Sequence, residues 1–394
     1  MSGIQNPQNL PSKANILKDN ATAFLKRTFD LASSKSGTIK LIAFFIIIIL
    51  IAGISFYVTL QLAKKKRYPS VMKNMLDENY KPEISSINKT DMKYNYKLRD
   101  YYVKSSYNSC CAGDFKNDYV TLKALRHVVG QGARFLDFSI YNIDNKPVIA
   151  ASSQDSIFYK ETYNSLDFDD VIKTINSIAF SNSIAPNAHD PLFLHFKIYS
   201  QQKTTYDKMA QSINKHLGNR LLSHEYGKEY NGHSIGNLNL SSLMGNVIII
   251  TDKNNPDILE KSELYNYVNI CTSTPLLQIL NNYNVLYAPN YNEIISFNKK
   301  KMTISVPDLS SLASNVSASI HQKYGIQFIC INFQTDDNNL KYYENLFNKA
   351  GSAFILKPEN LRFKPNTIKK PKSQDPKLSF APRKYNKDYV QIQI

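Results

Sequence analysis

The stretch "YGIQFICINFQTDD" (residues 324–337) decides how the rest of the chain is read. Phe328, Ile329, Cys330, Ile331 and Phe333 form an unbroken apolar run, the pattern of a strand buried on both faces. The run ends in Asn332, Gln334 and Thr335, hydrogen-bonding side chains that a dry core would exclude. In a closed parallel barrel the carboxyl ends of the strands form the mouth, and polar residues belong there. The stretch therefore predicts a barrel strand whose polar tip holds strand ends and loops together.

Working outward, apolar runs alternate with helical patterns from about Leu98 to Phe363. Strands are predicted at "GARFLDFSIYN", "KPVIAA", "LFLHFKIYS", "GNVIIITDK", "MTISVPD", "GIQFICINFQT" and "SAFILKP", and helices at "NDYVTLKALRHVVGQ", "FDDVIKTINSIAFSN" and "TTYDKMAQSINKHLGNRLL". In the last helix Met209, Ile213 and Leu217 repeat at four-residue intervals and mark one apolar face. Alternation sustained over this length implies one closed α/β barrel rather than two open sheets.

Residues 41–60, "LIAFFIIIILIAGISFYVTL", carry no charge and suffice to cross a hydrocarbon core of about 30 Å. A single transmembrane helix is predicted over 38–63. It follows a flexible tail (1–37) and precedes a basic, proline-containing stalk (64–97). Lys26, Arg27, Lys35 and Lys40 flank one side; Lys64, Lys65, Lys66, Arg67 and Lys73 flank the other, a small excess that places the barrel on the cytoplasmic side. Sequons at Asn88, Asn239 and Asn315 would permit the opposite topology. Residues 364–394 hold eight Lys or Arg against two Asp, with four prolines, and read as an extended basic tail.

The net charge is +16, from 48 Lys and Arg against 32 Asp and Glu. Such an excess suits an anionic partner. Nucleic acid is not expected, because the basic stretches lack interleaved stacking aromatics or a docking motif. Cys110, Cys111, Cys271 and Cys330 have no metal-ligand spacing and read as packed thiols.

Several segments, in order, resemble the eukaryotic-type phosphoinositide-specific phospholipase C, through its X and Y halves. "SSYNSCCAGDF" with "YVTLKALRHVVGQGARFLDFSIYNIDNKPVIAASS" is similar to the X-half opening, and "DPLFLHFKIYSQQKTTYDKMAQSINKHLGNRL" continues it. "FNKKKMTISVPD" is similar to the start of the Y half, and "YGIQFICINFQTDDNNLKYYENLFNKAGSAFILKPENLR" is the most specific piece. The resemblance implies a TIM-type (β/α)8 barrel of the PLC-like phosphodiesterase superfamily. Its X-like half would run over 98–253, a linker region over 254–285 and the Y-like half over 286–363. The family's accessory calcium- and lipid-binding domains have no counterpart here.

The resemblance also implies a chemistry, carried by two histidines and a calcium ion that lowers the nucleophile's pKa. Residue by residue, that apparatus is degenerate. The first histidine falls on Tyr107 and the second on Ala151; a phenol of pKa near 10 is a poor proton shuttle and alanine has no proton to give. Of the calcium ligands, the Asn matches Asn108, the first Glu is Asp137, the Asp is Ser139 and the last Glu is Lys197. An ammonium group in the metal's seat repels calcium, and Lys197 is expected to pair with Asp137 there. The substrate-phosphate lysines appear as Ile250 and Asp252, and the Y-half Arg and Tyr as Ile304 and Val306. No catalytic residue, metal or cofactor is therefore expected. The alternative site is His195 with Lys197, two residues apart on one face of a strand, in a divergent phosphoric diester hydrolase acting on phosphatidylinositol-type lipids. His127 and His189 match no motif of the family.

The leading expectation is a membrane-anchored, catalytically inactive PLC-like protein. It would bind or structure a membrane surface, with anionic lipid and unidentified proteins as partners. The abundance of Asn, Lys, Ile and Tyr, with no Trp, indicates an AT-rich lineage; a virion or an organelle is the expected setting.

Overall fold

The computed structural model describes residues 22–27, 30, 37–78, 82–226, 235–365, 372, 373, 375, 378, 382 and 384–393. Most of the predicted N-terminal tail and much of the C-terminal tail lie outside the described residues.

Helix α1 (Gly37–Glu78) is 42 residues long. Its segment Lys40–Leu60 has mean hydropathy 2.9 and is apolar all round, with only 6% of its most apolar window covered by protein. At about 1.5 Å rise per residue this segment is roughly 30 Å long, the thickness of a hydrocarbon core. Among the described residues it is the one helix long and apolar enough to cross a membrane. The helix continues past the apolar run, so the first part of the predicted stalk is helical.

The rest of that stalk belongs to the globular domain. Ile84, Ile87 and Tyr94 are buried, the Ser85 N–H donates to Gly351 O at 3.1 Å, and the Ile87 N–H donates to Asp190 Oδ1 at 2.8 Å. The stalk therefore ends before Ile84 rather than at residue 97.

The domain is a nearly closed parallel barrel of eight strands: β1 (Tyr101–Ser106), β2 (Phe135–Ile143), β5 (Leu192–Tyr199), β6 (Val247–Thr251), β7 (Ile270–Cys271), β8 (Leu277–Asn281), β9 (Met302–Val306) and β10 (Phe328–Ile331). They pair in the order β7-β6-β5-β2-β1-β10-β9-β8, leaving the seam between β7 and β8 open. Helices predicted from periodicity form over Leu122–Gly130, Phe168–Ala179 and Lys203–Leu217 and bury Met209, Ile213 and Leu217 as expected. Inside the barrel Phe328 packs on Phe135 and Phe193, with ring centroids 4.8 and 5.4 Å apart.

Two predicted strands lie outside the barrel. "KPVIAA" is β3 (Lys146–Ala150), an antiparallel return from β2 that pairs in turn with the short β4 (Leu166–Asp167), and "SAFILKP" is β11 (Phe354–Leu356), antiparallel to β1. Neither is a barrel stave. The region 254–285, expected as a linker, supplies the staves β7 and β8. β1 itself, "YYVKSS", lacked an apolar run because it carries Lys104, whose ammonium is fully buried against Glu344 at 2.6 Å.

The polar tip that follows β10 does what its residues predict. Asn332 Nδ2 donates to Ser314 O at 2.8 Å, Gln334 Nε2 to Gly113 O at 3.1 Å, and the Thr335 hydroxyl to Ala313 O. Each bond ties the end of β10 to a loop at the mouth.

Candidate functional site: the barrel mouth

Strand alternation puts residues i and i+2 on one face. On β2 this brings Asp137 and Ser139 to the interior, and on β5 His195 and Lys197. The parallel register sets Asp137 opposite His195 and Ser139 opposite Lys197. Beyond β1, Tyr107 and Asn108 complete the cluster. Asn108 takes a left-handed φ of 41°, a conformation that asparagine tolerates better than most residues. That turn aims the Asn108 N–H at Asp137 Oδ2, 3.0 Å away.

Asp137 is the hub. Its Oδ1 meets His195 Nδ1 at 2.7 Å and its Oδ2 meets Lys197 Nζ at 3.0 Å. Ser139 Oγ donates to Asn108 Oδ1 at 2.9 Å, and Ser109 Oγ accepts from the Asp137 N–H at 3.1 Å. The Lys197 ammonium also sits over the Tyr107 ring, 4.1 Å from its centroid, a cation–π contact strengthened by burial.

Burial alone would raise the Asp137 carboxyl, but Lys197 and His195 outweigh it and hold it below the usual carboxylate range. Burial likewise opposes the Lys197 ammonium, yet Asp137 holds its pKa well above the ordinary value. Both groups are therefore charged, and each is the condition for the other. Burial pushes the Tyr107 phenol up, so it is no proton donor or acceptor near neutrality. At the end of β6, burial pushes Asp252 up to about 7; its Oδ2 accepts from the Ile198 N–H at 3.2 Å and Asn254 Nδ2 at 2.6 Å.

Ala151 lies one residue beyond the register pair Ser139–Ala150. It is fully buried, and its carbonyl accepts from the N–H groups of Glu161 and Thr162 at 2.9 and 3.1 Å. The returning loop thus packs against this position.

His195 has a partner that its isolated place in the sequence did not reveal. Asp137 orients one ring nitrogen, the ring lies 5.8 Å from that of Phe135, and Nε2 is buried with no hydrogen-bond partner. The contact between Lys197 and the Tyr107 ring was equally hidden. His127 is buried in the helix Leu122–Gly130, and His189 lies in the loop before β5.

A calcium ion needs six to eight oxygen ligands. Here Asn108 Oδ1 is taken by Ser139, both Asp137 oxygens are engaged, and the fourth position presents an ammonium group. The residues present do not fit a divalent cation. Among the described residues no cluster of three His, Cys, Asp or Glu is placed to hold a metal elsewhere. The four cysteines are free thiols, three of them buried.

Residues 94–253 match the family described as phosphatidylinositol-specific phospholipase C, X domain. Among solved structures, L. pealei PLC21 is similar with a TM-score of 0.55 at 19% identity, over 68% of this chain and 38% of its own. S. officinalis PLC21 is similar with a TM-score of 0.55 at 19% identity, over 72% of this chain and 39% of its own. The chain thus spans well under half the length of these two proteins, and the likeness is one of fold. No curated protein matches the chain.

Proposed function

We propose that this chain is a divergent member of the phosphatidylinositol-specific phospholipase C family, and that within it the protein is a membrane-anchored pseudoenzyme that binds or structures an anionic membrane surface. The observation that carries this reading is the closed set of contacts on Asp137, whose two oxygens are spent on His195 and Lys197. Cleaving a phosphodiester by attack of a neighbouring hydroxyl needs a base to take a proton and an acid to return one. Tyr107 is a buried phenol, Ala151 has no titratable group, and the mouth holds an ion pair instead of a metal seat.

The anchor is the segment Lys40–Leu60, with the barrel facing the cytoplasm under the positive-inside rule. Basic residues beside the span and in the tail would hold the domain near anionic lipid, each contributing on the order of 1 kcal/mol. Protein partners are left unnamed by the surface chemistry.

One observation favours a second reading. The 2.7 Å contact orients His195 as a catalytic histidine would be oriented, with Lys197 in place of a metal. Against it, the free Nε2 lies inside the barrel without access to solvent. The test is turnover of phosphatidylinositol by the full chain in lipid nanodiscs, with calcium or with chelator. No cleavage is expected in either; cleavage lost on His195→Ala would establish the second reading instead.

A further inference from the structure

The C-terminal segment ends in a two-stranded antiparallel sheet, β12 (Lys384–Lys387) with β13 (Val390–Gln393), separate from the barrel sheet. Its register pairs Tyr385 with Ile392 and Lys387 with Val390 on one face, and Lys384 with Gln393 and Asn386 with Gln391 on the other. The hairpin is therefore amphipathic: one face carries Tyr385, Val390 and Ile392, with Lys387 at its turn end, and the other carries Lys384 and three amides. Tyr389 stands at the turn. Tyr385, Tyr389, Val390 and Ile392 are 62, 100, 55 and 51% exposed. A lone two-stranded hairpin is at best marginally stable in water, so an apolar face this open calls for something to cover it.

We infer that the hairpin Lys384–Gln393 is a second membrane contact, its apolar face and Tyr389 entering the interfacial layer of an anionic leaflet while Lys384 and Lys387 meet lipid phosphates. The inference rests on the membrane-anchored reading above and names a further contact that reading does not require. Charge decides the occupant. Residues 364–394 carry eight basic groups against two acidic ones, so a second copy would set like charge against like, whereas an anionic leaflet attracts them. Tyrosine and lysine flanking a short apolar surface are the residue types that settle at headgroup depth. The tether makes the encounter intramolecular: α1 stands in the same membrane, and the chain between Pro365 and Lys384 spans up to about 65 Å when extended.

The absence of tryptophan from the chain makes single-Trp reporters possible in the full-length protein. Tyr389→Trp and, separately, Phe45→Trp would be placed in nanodiscs of phosphatidylcholine alone or mixed with phosphatidylserine, with and without brominated acyl chains. Trp at 389 is expected to shift to the blue and be quenched only in anionic discs. Val390→Lys with Ile392→Lys should abolish both effects, and Lys387→Gln should weaken the partition about fivefold, the equivalent of roughly 1 kcal/mol per basic residue. Water-like emission at 389 in every disc would overturn the inference. So would a shift that follows the number of chains per disc rather than lipid charge, which would mean strand pairing between copies. Trp at 45 separates the two claims: if it is not quenched, the anchor fails; if it alone is quenched, only the hairpin contact fails.

Discussion

Asp137 and Lys197 meet at 3.0 Å across two strands although they are not register partners; the lysine reaches diagonally, past its neighbour Ser139, to the carboxylate opposite His195. Both side chains are largely or wholly buried, so the pair is held by mutual need rather than by strength. Removing one charge leaves the other stranded, at a cost of about 3–5 kcal/mol, whereas removing both can be nearly neutral. Lys197→Met is expected to lose that much in chemical denaturation of the full chain in detergent. Asp137→Asn combined with Lys197→Met should recover much of it, and a double-mutant cycle measures the coupling.

The misfit to calcium is testable by restoring a carboxylate. Lys197→Glu places a second acid beside Asp137, and like charges at this depth repel. The variant is expected to have a lower Tm than the native chain in chelator and to regain part of the difference with added calcium. The native chain should show no calcium shift. A calcium shift of equal size in the native chain would contradict the structural reading of the mouth.

Residues 82–97 behave as part of the barrel domain, and Ile84 is the anchor to test. A Cβ at Gly132, whose φ is 80°, would lie 3.2 Å from Ile84 Cδ1 and 3.3 Å from Pro186 Cγ. Ile84→Ala should cost about 2–4 kcal/mol, as large-to-small changes in a packed site do. Gly132→Ala should also destabilise, through both the backbone and the crowding. Unchanged stability in both variants would return this segment to the stalk.

Stability against pH follows from opposing buried groups. Burial lowers His127 and His321 from 6.5 to about 4; His321 Nδ1 and Nε2 already meet Ser305 Oγ at 2.9 Å and Asn282 Oδ1 at 3.1 Å. Between pH 4 and 6.5 the unfolded chain binds these protons and the folded chain does not, so their contribution is lost as pH falls through that window. Burial raises Asp190 to about 6 and Asp252 to about 7. There the folded chain holds the proton, and stability falls as pH rises from about 4 toward 7. The native profile is therefore flattened by cancellation. Asp252→Asn should make it fall more steeply on acidification and His321→Gln less steeply, each by up to about 1.4 kcal/mol per pH unit. Urea unfolding across that range measures both.

Much of the fold was legible because burial leaves marks in the chain. The apolar runs of β2, β5, β6 and β10, the four-residue repeat of Met209, Ile213 and Leu217, and the uncharged stretch of α1 each declare their element. β1 was hidden because its buried Lys104 reads as a surface residue until Glu344, far along the chain, supplies the opposite charge. β7 escaped because two residues are too few to make a pattern. The Asp137–Lys197 pair was expected through the family resemblance, while the His195 contact with the same carboxylate was not.

The division has one physical reason. Sequence alone determined which faces exist, because alternation, helical spacing and hydropathy are properties of neighbouring residues: His195 with Lys197, Asp137 with Ser139, a span of lipid length, a basic tail. Only the tertiary structure decided which faces meet, because register between strands 58 residues apart is set by the packing of the whole barrel. That register joined four polar side chains into one network that engages both oxygens of Asp137, leaving the Lys197 ammonium where the family resemblance called for a metal-binding carboxylate.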